Sequence, residues 1–91
     1  MTARRRSMTE AQAAVMRELR AGGVLKVGFG EPVVVPIDDQ KPRWIASRQT
    51  AAALIRKDWV TLFDTNEELE GRYVISALGI EAADREFGTA R

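Results

Sequence analysis

Apolar residues recur at spacings of three and four from Met8 to Leu19, alternate at a spacing of two from Leu25 to Phe29, and return to helical spacing twice further on. In the first segment Met8, Ala11, Val15 and Leu19, with Met16 beside them, predict one apolar stripe on a helix. Two overlapping capping boxes precede it, Ser7 with Glu10 and Thr9 with Gln12, and Gly22 and Gly23 end it by permitting a left-handed residue. Leu25, Val27 and Phe29 then alternate with Lys26 and Gly28, "GEP" supplies turn chemistry, and the β-branched run "VVVPI" follows, so a hairpin is predicted. Pro36 cannot donate to a ladder, which places the second strand at a sheet edge or ends it there. "DDQKP" reads as a turn and "RWIA" as a short extended piece.

Ser47 suits an N-cap, and nothing from Arg48 to Lys57 breaks a helix. Ala51, Leu54 and Ile55 form its expected inner face, with Arg48, Gln49, Ala52, Ala53 and Arg56 pointing away. Asp58 ends it. "WVTLF" and "RYVI" are two β-rich runs joined by the polar "DTNEELEG", a hairpin with a long tip. Ser76 caps a last helix, "ALGIEAADREF", with Leu78, Ala82 and Ala83 facing inward. The order is helix, strand, strand, helix, strand, strand, helix: a small α+β fold, with residues 8–88 as a single domain and residues 1–7 as a flexible basic arm.

A chain of 91 residues buries roughly 60–65% of the surface its unfolded form exposes, which leaves little room for a large catalytic cleft. It contains no cysteine and no histidine, which removes disulfides, thiolate zinc sites, the usual general base and the commonest transition-metal ligand. Asp38 with Asp39, and Glu67 with Glu68, are adjacent pairs in predicted loops, where neighbours rarely face one site and solvation is the ordinary state. "VGFGEP" lacks the spacing and lysine of a phosphate-binding loop. These features predict a protein that is not an enzyme and holds no metal or cofactor. No apolar run approaches the roughly 18–20 residues that span a bilayer, and no apolar segment follows the N-terminal cations, so the chain reads as cytoplasmic with no membrane partner.

The net charge of +1 conceals strong segregation. Residues 41–57 carry five cations and no carboxylate, while residues 58–70 carry five carboxylates and no cation. The boundary falls at a predicted helix-to-strand junction. Arg48, Gln49 and Arg56 suit base edges or phosphates, and a helix without carboxylates avoids repulsion from a nucleic-acid backbone. Arg4, Arg5 and Arg6 suit an arm along phosphates or in a minor groove, or simply a charged terminus that aids solubility. Trp59, at the start of a β-run, is expected in the core; Trp44, beside Arg43, packs or stacks on a partner.

"TAAALIRKDWVTL" followed by "RYVISALGIEAA" resembles the signature of bacterial and phage winged helix-turn-helix DNA-binding domains, in which a recognition helix leads into a strand, a wing and a closing helix. Thr50, Leu54 and Ile55 match small-polar and aliphatic positions of the recognition helix, Asp58 stands where a glycine commonly ends it, and Trp59 and Val60 match the two apolar residues that begin the first wing strand. Tyr73, Ile75, Ser76 and Gly79 match the second wing strand and the turn into the last helix. The similarity spans about a third of the chain. Upstream, where the family has a positioning helix, this chain has "VVVPIDDQKPRWIA": either a hairpin replaces that helix, or the arrangement is a different αββαββα fold.

The resemblance implies a non-enzymatic double-stranded DNA-binding protein, a small phage or bacterial transcriptional regulator. Residues 47–57 would lie in the major groove, with Arg48, Gln49 and Arg56 on bases or phosphates and Arg43 and Lys57 on the backbone. So few cations imply a homodimer for specific affinity, and by analogy residues 76–87 are its surface. The acidic tip "DTNEELE" opposes DNA, and the alternative is a protein-interaction module, an inhibitor or assembly factor, that uses adjoining basic and acidic faces.

Overall fold

In the computed structural model, which describes residues 8–88, the first helix starts where its capping chemistry sits. The Thr9 hydroxyl accepts from the Gln12 amide while the Gln12 side chain accepts from the Thr9 amide, so helix α1 (Glu10–Arg20) begins with its orphan donors satisfied reciprocally. The alternative cap, Ser7, and the proposed arm of residues 1–7 lie outside the described residues. At the other end Gly22 takes φ +112°, a conformation open to glycine, and the chain reverses. Ala13, Val15, Met16 and Leu19 are buried, joined by Met8. Ala11, expected in the stripe, is exposed: at 100° per residue the buried arc centres between Met16 and Leu19, which encloses Ala13 and leaves Ala11 outside.

The remaining elements are β1 (Val24–Val27), β2 (Val33–Val35), β3 (Trp44–Ile45), α2 (Arg48–Arg56), β4 (Val60–Thr65), β5 (Gly71–Ile75) and α3 (Ala77–Phe87). The strands form one antiparallel sheet in the order β3-β2-β1-β5-β4. The short extended piece "RWIA" therefore supplies a third strand between the first two helices, and the observed order is helix, three strands, helix, two strands, helix. Pro36 does end β2 at Val35, but β2 is interior: Val33 and Val34 pair with Ile45 and Trp44 on its other side. No helix precedes α2 between residues 24 and 46; its place is held by the β2–β3 pair.

Register divides the sheet into two faces, because directly opposed residues share a side. Trp44, Val34, Leu25, Tyr73 and Leu62 form one cross-strand row, and Val60 with Ile75 a second on the same face. Leu25 and Val34 are fully buried there, under helices that contribute Val15, Met16, Leu19, Ala51, Leu54, Ala82 and Ala83 to a single core. The opposite face carries Ile45, Val33, Lys26, Arg72 and Asp64 in one row.

The last helix buries Ala82 and Ala83 as expected but not Leu78. Gly79, Ala82 and Ala83 are buried and Leu78 is 53% exposed. A Cβ at Gly79 would lie 2.0 Å from the Trp59 carbonyl oxygen, so α3 sits directly on the backbone that joins α2 to β4. The helix face that permits this approach is the one bearing Gly79, and Leu78, one position away, is rotated out by 100°.

Candidate nucleic-acid interface

Helix α2 is built by the sequence around it. The Ser47 hydroxyl accepts from the Thr50 amide at 3.0 Å and donates to the Thr50 hydroxyl at 2.8 Å, which caps the helix and satisfies Thr50, the one buried polar side chain among the described residues. Thr50, Ala51, Ala53 and Leu54 are buried and Ile55 is half-buried. Ala53, expected on the outer face, is inside: the small residues at 51 and 53 let α2 sit close to its neighbours, and Ile55 gives up part of the inner face in exchange.

The far end of α2 carries a left-handed residue. Asp58 takes φ +60°, the Asp58 amide donates to the Ile55 carbonyl, and the Trp59 amide donates to the Leu54 carbonyl. This is a Schellman termination with aspartate in the position that glycine usually fills. The Ser76 hydroxyl, which also caps α3, donates to the Asp58 carbonyl, and the Ser76 amide donates to the Trp59 carbonyl at 3.0 Å. The end of α2, the start of β4 and the start of α3 are thus joined at one point, and the outer face of α2 is held fixed relative to the sheet.

That outer face is Arg48, Gln49, Ala52 and Arg56, all exposed, followed by exposed Lys57. Arg48, Ala52 and Arg56 succeed one another at four-residue spacing and Gln49 lies beside them, so they form one line with a flat alanine at its centre. It carries no carboxylate. Arg43, exposed before β3, and Arg56 enter no ion pair among the described residues. Lys57 lies over the Trp59 ring, 5.0 Å from its centroid; Trp59 is half-buried, as is Trp44. Arg4, Arg5 and Arg6, also expected at the interface, lie outside the described residues.

Among the other described cations, Lys26 and Arg85 enter no ion pair, and four are engaged, Arg72 with Asp64 and the remaining three elsewhere. Arg20 binds Asp84 at 2.7 Å, Lys41 approaches Glu18 at 3.7 Å, and Arg17 stacks on Phe87. Arg48 itself approaches Glu31 at 3.7 Å and the Phe29 carbonyl at 3.5 Å, contacts that both sides make while largely solvated. Glu31, in the β1–β2 turn, was not a residue that the spacing of the chain marks as a neighbour of α2; only the sheet register brings it there.

The acidic tip is shorter and more ordered than its composition implies. Strands β4 and β5 extend through Thr65 and Gly71, so the loop is residues 66–70. Asn66 organises it: its side-chain oxygen accepts from the Glu68 and Glu70 amides, each at 2.9 Å, and Leu69 completes the turn at φ +63°. Asp64 is drawn out of the acidic block by a two-pronged contact with Arg72, its cross-strand partner. The hydrogen bonds from Arg72 hold the Asp64 carboxyl below the ordinary value of 3.8. Glu70 packs on Gly28, where a Cβ would meet its Cγ at 2.7 Å. Because the same β1–β2 turn also meets Arg48, the acidic loop lies at the end of the molecule that holds the start of α2, and Arg56 and Lys57 lie at the other end of that helix.

The β-rich run "WVTLF" is buried only in part: Val60 is buried, but Leu62 is 52% and Phe63 68% exposed. A β-bulge between Leu62 and Asp64 falls at Phe63 and turns the strand where it leaves the helices. Among the described residues, no group of three or more side chains could hold a metal ion, and no helix is long and apolar enough to cross a membrane. No protein-family model, curated protein or solved structure matches the chain.

Proposed function

We propose that this protein binds double-stranded DNA as a small regulator of the winged-helix type, with α2 lying in the major groove. The observation that carries the reading is the exposed line Arg48–Gln49–Ala52–Arg56, free of carboxylates, on a helix whose opposite face and both ends are fixed. Arg48 and Arg56 suit guanine edges or phosphates, Gln49 suits an adenine edge, and Ala52 between them lets the helix approach the groove floor. Arg43 and Lys57 suit the flanking phosphates, with Arg4, Arg5 and Arg6 as a further arm. In this reading the β2–β3 pair stands in for a positioning helix, and β4–β5 is the wing.

The acidic tip sets the pose. Glu31 and the 66–70 loop stand near the start of α2, so the phosphates approach Arg56, Lys57 and Arg43 first, and the wing tip turns away from the duplex. Four phosphate contacts, from Arg43, Arg48, Arg56 and Lys57, give a slope of about −3.6 in log affinity against log salt. Affinity then falls about 150-fold between 50 and 200 mM salt. Fluorescence anisotropy with a labelled duplex tests this: the double variant Arg48→Ala, Arg56→Ala flattens the slope by about two, and wild-type affinity that ignores salt would sink the idea.

A second reading has its own observation. Phe29 and Leu69 are more than half exposed at the end of the molecule that also carries Glu31, Glu67 and Glu68, and Leu62 and Phe63 are more than half exposed along β4, which leads to it. An apolar surface rimmed with carboxylates suits a basic protein partner, so the alternative is a protein-interaction module. Tight binding of a basic protein that Phe63→Ala abolishes, with no duplex binding at low salt, would favour it.

A further inference from the structure

The two edges of the sheet are unlike. The β3 edge is two residues long and follows Pro42, a blunted edge of the kind that resists pairing. The β4 edge, Val60–Thr65, is the longest strand among the described residues and contains no proline, lysine or arginine. Along it Thr61, Leu62 and Phe63 are exposed and Val60 is buried. The Ser76 amide donates to the Trp59 carbonyl, so Trp59 and Thr61 turn their peptide groups toward β5, and Val60 and Leu62 turn theirs outward. Beside this edge is a shallow cavity of about 290 Å³ lined by Asp58, Val60, Thr61, Ser76, Ala77 and Leu78. Two residues beyond Thr61, Phe63 is exposed at the bulge.

We propose that the β4 edge pairs with the β4 edge of a second copy, antiparallel about a twofold axis at Thr61. Val60 of each copy exchanges hydrogen bonds with Leu62 of the partner subunit, and Thr61 faces Thr61 of the partner subunit. Phe63 of the partner subunit then falls opposite Trp59, at the mouth of the cavity. An isologous contact needs a self-complementary surface, and this one has its projection and its hollow on the same strand at equal distances from the axis. The charges agree with a second copy as the occupant. Antiparallel pairing runs the acidic 66–70 loop of one copy toward the end of α2 that carries Arg56 and Lys57 in the other, and Asp58 meets the already balanced Asp64–Arg72 pair. The segregated blocks 41–57 and 58–70 thereby become complementary between copies, twice over. From α3 only Ala77 and Leu78 take part. DNA and the partner's acidic loop compete for Arg56 and Lys57, while Arg48 and Gln49 stay outside the contact.

The experiment is run without DNA, so its outcome is independent of the DNA reading. Opposed residues that face away from each other's hydrogen bonds sit about 4.5 Å apart at Cα, within disulfide range. The chain has no cysteine, so Thr61→Cys introduces the only thiol. With copper phenanthroline as oxidant, Thr61→Cys is expected to form a covalent dimer rapidly, while Ala52→Cys, also at an exposed position, stays monomeric under the same conditions. Sedimentation equilibrium of the unmodified chain is expected to give twice the chain mass. Phe63→Ala weakens that dimer about tenfold or more, the scale of a buried aromatic anchor, with an unchanged melting curve at concentrations where both proteins are monomeric, because Phe63 is exposed in one copy. A monomer at every concentration, or a dimer in which Thr61→Cys crosslinks no faster than Ala52→Cys, overturns the proposal.

Discussion

Replacing Gly79 with alanine probes the junction on which the outer face of α2 depends. An added Cβ would stand 2.0 Å from the Trp59 carbonyl oxygen, 2.9 Å from the Trp59 carbonyl carbon and 2.8 Å from Ile75 Cγ1. A carbon rests against a carbonyl oxygen at about 3.3 Å or more, so α3 must retreat by about 1 Å. The nearest atom is the backbone carbonyl oxygen of Trp59, in the joint between α2 and β4, which cannot swing aside as the end of a side chain can. Retreat lengthens the 3.0 Å bond from the Ser76 amide to Trp59, at about 1 kcal/mol, and overpacking adds about 1–3 kcal/mol. Against this, alanine gains about 1 kcal/mol of helix propensity over glycine. The net is a loss of about 2 kcal/mol, or about 8–16 °C in Tm for a domain of this size. Urea and thermal unfolding followed by circular dichroism measure it. A glycine that merely sat in an unpacked helix would give the opposite sign, so a Gly79→Ala protein as stable as wild type, or more stable, refutes this packing of α3 on the α2–β4 joint.

Three further outcomes follow from local geometry. Asp58→Gly relieves a left-handed aspartate and is expected to stabilise the fold by about 0.5 kcal/mol, and a lower urea midpoint would contradict the Schellman termination. Ser47→Ala removes the cap of α2 and costs about 1 kcal/mol, read by the same unfolding curves. In the native protein Asp64 is expected to titrate below 3.8, so its contribution is present at neutral pH and is lost as pH falls through the lowered value. Arg72→Gln moves the titration back up, and carboxyl chemical shifts that give the same pKa in both proteins would deny the contact.

The elements whose signals are local were legible in the amino-acid order. Thr9 with Gln12, Ser47 and Ser76 each cap the helix that their spacing implies, and the exposed side of α2 follows from the period that buries Ala51 and Leu54. What escaped depends on partners distant in the chain. Trp44 and Ile45 are β-prone, but two residues are too few to mark a sheet strand, and they become β3 because β2 offers Val33 and Val34 an unfilled side. Leu78 looks like a core residue until Gly79 is seen to need the close approach to Trp59. Glu31 and Glu70 converge on one turn through the pairing of β1 with β5, a contact that no local pattern encodes. In the same way, the opposition of Asp64 and Arg72 across the hairpin softens an acidic block that composition alone makes uniform.

The central claim is that the carboxylate-free line on α2 meets a DNA backbone and groove, and Ala52→Glu tests it most directly. Ala52 is exposed, lies at the centre of the line, and tolerates glutamate at a helix-propensity cost of well under 1 kcal/mol, so the fold should be unchanged by circular dichroism. A carboxylate there faces the groove and the phosphates at once. Duplex affinity measured by anisotropy at low salt is predicted to fall at least about tenfold, the equivalent of about 1.4 kcal/mol. Wild-type affinity in a folded Ala52→Glu protein would mean that α2 is not the surface that meets DNA.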